Sequence, residues 1–200
     1  MCLKVKLVLA TRNPHKAREF AVLLAPHTVD PLPPEIELPP ETGLTFAENA
    51  LGKARAAAAA IGRPVIADDS GIESAALGGA PGVRSARFAG EDATDEENLA
   101  LLLERAPAGS ALAYVCALAF VDAAGGEERV FEGRCTGRLA ADPRGDGGFG
   151  YDPAFVPDDR DDSRTMAELS VAEKDAISHR GRAAAELLAW LPAGSGGPSH

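Results

Sequence analysis

Residues 65–71 read Val65-Ile66-Ala67-Asp68-Asp69-Ser70-Gly71. A short apolar run has the length of a buried strand and ends in two adjacent carboxylates, a hydroxyl and a glycine. In an open α/β sheet, ligands gather beyond the carboxyl ends of the strands, so these groups are expected to face a binding crevice. Adjacent acids at such a point suit divalent-metal binding or general-base chemistry. Asp, Ser and Gly also build solvated strand-to-loop turns, and the segment alone leaves both readings open.

The flanking sequence alternates strands and helices. Upstream, Thr45-Phe46-Ala47-Glu48 has the form of a capping box and opens an alanine-rich helix to about Ile61. Its core face is Phe46, Ala50, Ala54, Ala57 and Ile61, while Asn49 and Lys53, four apart, share a separate polar face. Leu3 to Ala10 reads as a buried strand, followed by Thr11-Arg12-Asn13-Pro14-His15-Lys16. Asn13 is a good N-cap and Pro14 fits the first helical position. Ala17, Phe20, Ala21 and Leu24 then mark an amphipathic helix. Pro31 to Pro40 holds five prolines and predicts an extended connection.

Downstream, the glycine-rich loop Leu77 to Gly82 precedes a helix capped by Thr94 with Glu97. Ala111 to Val121 and Glu128 to Gly137 predict a hairpin, and Ala154 to Val156 a short strand. Ser170 and Glu173 form another box, and Ser178 to Leu191 is the last helix. This order predicts an α/β fold with a mixed sheet flanked by helices, as one domain over residues 1–192. The glycine-, serine- and proline-rich residues 193–200 read as a disordered tail.

Composition narrows the function. The 200 residues are 46% hydrophobic and 25% charged, with room for a sizeable core. A formal net charge of −10 excludes a broad nucleic-acid-binding surface but permits a few cations focused on a small anion. No apolar run reaches the length of a membrane span, and the start lacks a secretory signal, so the protein is expected in the cytoplasm. Cys2, Cys116 and Cys135 have no metal-like spacing, and Cys116 sits in a strand pattern as a core residue.

Four further constellations could carry chemistry. Thr11, Asn13 and Lys16 lie where a strand meets a helix N-terminus, a ready anion site. Glu41-Thr42-Gly43 precedes the helix bearing Asn49 and Lys53. In Gly147-Gly148-Phe149-Gly150-Tyr151-Asp152-Pro153, an aromatic between glycines suits stacking on a base. Lys174, His179 and Arg180 surround the start of the last helix, where positive groups oppose the helix dipole and call for an anion or acceptor.

Taken in order, these segments resemble the noncanonical purine nucleoside triphosphate pyrophosphatase family, the Ham1-like inosine/xanthosine triphosphatases. The resemblance runs from about Leu7 to Leu191 and rests on Thr11-x-Asn13-x-x-Lys16, Glu41-Thr42-Gly43, Asp68-Asp69-Ser70-Gly71, Gly148-Phe149-Gly150-Tyr151-Asp152-Pro153 and Ser178-His179-Arg180-Gly181. One departure is Arg12, where family members commonly carry glycine; it is expected to add bulk and charge beside the triphosphate.

The resemblance implies an elongated mixed sheet in two lobes with a central cleft, usually a homodimer. It implies hydrolysis of ITP, dITP and XTP to the nucleoside monophosphate and pyrophosphate with Mg²⁺, for which Mn²⁺ is a substitute. Asp69 is then the catalytic base, Glu41 and Asp69 the metal ligands, and Asp68 a support to the metal through its waters. Thr11, Arg12, Asn13, Pro14, His15, Lys16, Lys53 and Ser70 would line the phosphate end. Phe149, Gly150, Tyr151, Asp152, Lys174, His179 and Arg180 would surround the purine. A septum-inhibitor-like pyrophosphatase would lack the Ser-His-Arg segment, a nucleotide sensor would lose Glu41 and Asp69, and an aspartyl-nucleophile phosphatase would want Asp-x-Asp.

Overall fold

The strand that begins at Val65 does not stop at Ala67. In the computed structural model, which describes residues 4–191, this strand runs Val65–Ser74 and carries Asp68, Asp69 and Ser70 in its interior. It is the third strand, β3. The strand expected to end at Ala67 continues because β4 (Ala111–Asp122) lies antiparallel along its full length, from Val65 opposite Val121 to Ser74 opposite Leu112. The ladder satisfies the backbone groups whatever the side chains are. On its other edge β3 meets β1 (Lys6–Leu9), which pairs in parallel with Val65 and Ile66 only. Asp68 and Asp69 therefore lie just past the carboxyl end of β1, and the crevice expected at a strand end opens there instead.

The sheet has six strands in the order β2-β1-β3-β4-β5-β6. β1 is parallel to both neighbours and the remaining pairs are antiparallel. The predicted hairpin is β4 with β5 (Glu127–Leu139), and β6 is Phe155–Pro157. The edge strand β2 (Thr28–Pro31) has no counterpart in the sequence reading, which placed Pro31 in a connection. A proline is tolerated there because an edge strand has one side without a partner.

Among the described residues, five α-helices cover the sheet: α1 (Pro14–Leu23), α2 (Phe46–Ile61), α3 (Asp95–Arg105), α4 (Val171–Ile177) and α5 (His179–Trp190). The predicted caps all form. Asn13, Thr45, Thr94, Ser170 and Ser178 each accept a backbone N–H in the first turn. Strand alternation sends Ile66 toward α1 and α5, where it packs with Phe20, Leu24, Ala183 and Leu187. Val65 and Ala67 face α2 and its buried Ala50, Ala54 and Ala57. Ala21 and Ile61, expected on core faces, are exposed and half-buried respectively.

A third cluster gathers Ile72, Leu112, Tyr114 and Cys135 from the far ends of β3–β5 with Leu99 and Leu102 of α3 and Phe155. Two lobes thus share one long sheet. Cys116 and Cys135 are buried free thiols, as expected for Cys116. Gly133 fixes how α5 docks: a Cβ there would meet the His179 carbonyl at 1.9 Å and the Ala183 nitrogen at 2.6 Å. Only glycine lets the start of α5 lie directly on β5. The tail expected at residues 193–200 lies outside the described residues. Among the described residues, no helix is long and apolar enough to cross a membrane.

Candidate active site

A cleft of about 400 Å³ opens between the lobes at the end of β1. Thr11, Asn13 and Lys16 line it where β1 runs into α1. Asn13 Oδ1 accepts from the N–H groups of His15 (2.8 Å) and Lys16 (3.3 Å), and Thr11 Oγ1 accepts from the Asn13 N–H (3.1 Å). Pro14 occupies the first helical position and leaves no orphan donor. These bonds preorganise the turn, and Lys16 projects from it to Asp68 at 2.8 Å.

Arg12 also lines the cleft. Its guanidinium donates to the carbonyls of Leu32 (3.2 Å), Pro33 (3.0 Å), Pro34 (3.2 Å) and Ile36 (2.6 Å). The charge is committed to the proline-rich connection, whose prolines supply carbonyls without matching N–H donors.

Because β3 continues through them, Asp68 and Asp69 point to opposite faces of the sheet. Asp69 faces α2. Its Oδ2 accepts from Asn49 Nδ2 at 2.8 Å and its Oδ1 from the Ser70 N–H at 2.9 Å. Lys53 Nζ pairs with Glu41 and donates to the Asp68 carbonyl at 2.7 Å. Burial, then the charge of Glu41, raise the Asp69 pKa above its usual value, against the pull of Lys53, Asn49 and Lys16. Burial opposes the charge on Lys53, yet Asp68, Glu41 and Asp69 outweigh it and keep the ammonium protonated. Asn49 and Lys53, read from spacing as a polar face, are both buried against this cluster.

Asp68 faces α1 and α5, fully buried. Lys16 bonds it, Ser70 Oγ donates to it at 3.0 Å, and Arg180 Nε lies 3.9 Å away. Burial alone would push its pKa up, but Lys16, Arg180 and Lys53 hold it at about 2. Asp68 is the counter-ion of the cleft's cations.

At the other end of the cleft, Phe149 carries Arg180 and Lys174 over its ring at 5.1 and 5.2 Å, with the His15 ring 5.0 Å away. Asp152 fixes the loop: it accepts from the Phe149 N–H (2.9 Å), the Tyr114 hydroxyl (3.1 Å) and Lys174 (2.8 Å). The Gly150 N–H donates to Asp95 and the Tyr151 hydroxyl to the Ser85 carbonyl, so both are wall elements with committed polar groups. Arg180 donates to Glu19 and to Ser70 Oγ, each at 3.0 Å.

His179 stacks on Tyr114 with centroids 4.7 Å apart and planes at 9°. Burial first, then Arg180, Lys174 and Lys16, push its pKa well below the usual histidine value. The ring is neutral, which removes the dipole conflict expected of a positive group there. Its Nδ1 and Arg180 Nε are buried without a hydrogen-bond partner. Both residues line the cleft. Asp68 Oδ1 and Ser74 Oγ share this condition, and buried polar atoms without a partner are uncommon in folded proteins.

A protein-family model for the Ham1 family matches residues 7–190. The chain belongs to the Ham1 family. It is 48% identical over 208 residues to a dITP/XTP pyrophosphatase of Mycobacterium bovis, covering 96% of this chain and 97% of that one. A dITP/XTP pyrophosphatase of Symbiobacterium thermophilum is 51% identical over 197 residues, covering 94% and 95%. A HAM1 protein from Coxiella burnetii superposes with a TM-score of 0.82 at 40% identity, over 94% of this chain and 98% of that one. The family resemblance and the mixed α/β fold expected from the motifs are borne out.

Within this Ham1 fold, no three His, Cys, Asp or Glu side chains gather as a ready-made metal cage among the described residues. Glu41 and Asp69 offer two hard oxygen donors on one side of the cleft, which matches Mg²⁺, a cation bound through one or two carboxylates plus substrate phosphates. Sequence reasoning missed Glu19, which bonds both Lys174 (3.1 Å) and Arg180 (3.0 Å). Its signal was available, because Glu19 stands three residues after Lys16 on the same helix face. Tyr114 and Arg87, which donates to the Glu41 carbonyl at 3.2 Å, carried no local signal.

Proposed function

We propose that this chain hydrolyses ITP, dITP and XTP to the nucleoside monophosphate and pyrophosphate. The observation that carries the reading is the division of the cleft. Buried carboxylates and cations for a polyphosphate stand at one end, and Phe149 with the unpartnered His179 and Arg180 nitrogens at the other. The names of the relatives support the same reaction class.

In this reading Thr11, Asn13, Lys16 and Lys53, with Ser70, hold the triphosphate and offset the charge that develops on the leaving pyrophosphate. Positioning and electrostatics carry most of the work in such transfers. Asp69 takes the proton from water attacking the α-phosphorus; its raised pKa makes it a stronger base than an exposed aspartate. Glu41 and Asp69 would hold Mg²⁺, which neutralises phosphate charge as a Lewis acid. Phe149 packs on the purine, and His179 and Arg180 face its 6-oxo edge while Lys174 and Asp152 set the loop. His15, Pro14, Gly150 and Tyr151 shape the walls. The resemblance also supports a cytoplasmic homodimer.

The test is product analysis with XTP or dITP. Pyrophosphate and monophosphate should form in equal amounts with Mg²⁺ or Mn²⁺, excess EDTA should stop turnover, and added metal should restore it. Release of orthophosphate, or full activity in EDTA with no metal found on elemental analysis, would overturn the reading.

A further inference from the structure

Glu41 stands on a segment without regular structure, between the end of β2 at Pro31 and the start of α2 at Phe46. Five of the ten residues from Pro31 to Pro40 are prolines, so the segment is poor in N–H donors and rich in free carbonyls. A carboxylate on such a chain would wander unless something outside it supplied the missing donors. Two arginines do so. Arg12 reaches from the phosphate-end turn and gathers the carbonyls of Leu32, Pro33, Pro34 and Ile36 on one guanidinium, at 2.6–3.2 Å. Arg87 holds the Glu41 carbonyl itself at 3.2 Å. Leu32, Ile36 and Leu38 pack beneath, against the α2 core.

We propose that Arg12 is a positioning residue that clasps the proline-rich segment onto the phosphate-end turn and thereby sets the placement of Glu41. The guanidinium suits this work because its fork presents several donors in fixed directions. Nη2 is committed to three of these carbonyls and Nη1 to the fourth, so the guanidinium is held toward the segment. The geometry of the clasp is independent of the reaction; only its consequence for metal binding rests on the pyrophosphatase reading above.

Two measurements on Arg12→Ala and Arg12→Lys in the full chain test the proposal. The first is hydrogen exchange without substrate. In Arg12→Ala the amides of residues 35–43 should exchange at least about threefold faster, with α5 unchanged and Arg12→Lys in between. The second is pyrophosphate release across a Mg²⁺ titration. Loss of groups that orient metal ligands costs about 10–100-fold in metal affinity, and the exposed clasp acts at one remove, so the Mg²⁺ midpoint should rise about threefold to tenfold. The kcat at saturating Mg²⁺ and substrate should fall by much less than that. Unchanged exchange over 35–43 overturns the clasp. So does an unchanged Mg²⁺ midpoint with a raised KM for the nucleotide, which would make Arg12 a phosphate contact. If the parent protein releases no pyrophosphate from any 6-oxopurine triphosphate, the functional reading fails, and the exchange measurement alone decides the clasp.

Discussion

Asp69→Asn should lower kcat by about 10²–10⁴-fold, the usual loss on removing a general base, while leaving the fold intact. An amide neither accepts a proton from water nor binds a divalent cation well. The structural cost is set by the hydrogen bonds Asp69 accepts. The substituted side chain keeps one carbonyl oxygen, for the Ser70 N–H or for Asn49 Nδ2 but not both, and Asn49 cannot turn its amide without losing the Gly43 N–H that its Oδ1 accepts. Stability should therefore fall by about 1–3 kcal/mol, the range of one buried group left unpaired. Thermal melting and pyrophosphate release on the same preparation check both parts. Turnover within a few-fold of the parent would remove Asp69 from the chemistry.

The neighbouring carboxylate should behave in the opposite way. Asp68→Ala leaves Arg180 and Lys16 facing a fully buried vacancy, and breaking a buried pair by deleting one partner costs about 3–5 kcal/mol. For a domain of this size that is a fall of roughly 10 °C in Tm. Denaturant unfolding gives the energy directly. A loss below about 1 kcal/mol, the value of a surface ion pair, would show that Asp68 does not hold these cations in place. With the expected loss of about 3–5 kcal/mol, the two adjacent aspartates differ in kind: one tuned for chemistry, the other for holding the cations of the cleft.

That difference was not legible in the motif. Asp-Asp at the end of an apolar run reads as a paired site, and only the antiparallel partner β4, more than forty residues away in sequence, extends β3 through it and splits the pair between faces. The helix caps and the hairpin, which short-range signals announce, were read correctly, while local periodicity misplaced Ala21 and Ile61. Asn13, Thr45, Thr94, Ser170 and Ser178 announce helix starts by short-range bonds, and the β4–β5 hairpin follows from its own alternation and turn. Long-range contacts were invisible for the same reason. The spacing of Asn49 and Lys53 placed them on one face but gave no sign that β3 would bury it. His179 looked positive until burial and the surrounding cations made it neutral. The bonds of Arg12 were invisible because its partners lie twenty and more residues on, in a segment whose prolines hid both a strand and a set of free carbonyls.

Base selectivity at the inner end of the cleft bears most directly on the proposed function, because the site is read there as a receptor for a 6-oxopurine. XTP and ITP present an acceptor at position 6, where ATP presents a donor amine. Donors at His179 and Arg180 that pair with the oxo group would be left unpaired against the amine, at about 1–3 kcal/mol each. Two such losses correspond to roughly 10²–10⁴ in kcat/KM, at about 1.4 kcal/mol per decade. Measuring kcat/KM for XTP, ITP and ATP under one Mg²⁺ condition tests this directly. A preference of roughly 100-fold or more for both oxopurines is the predicted result; equal values for ATP and XTP would contradict it.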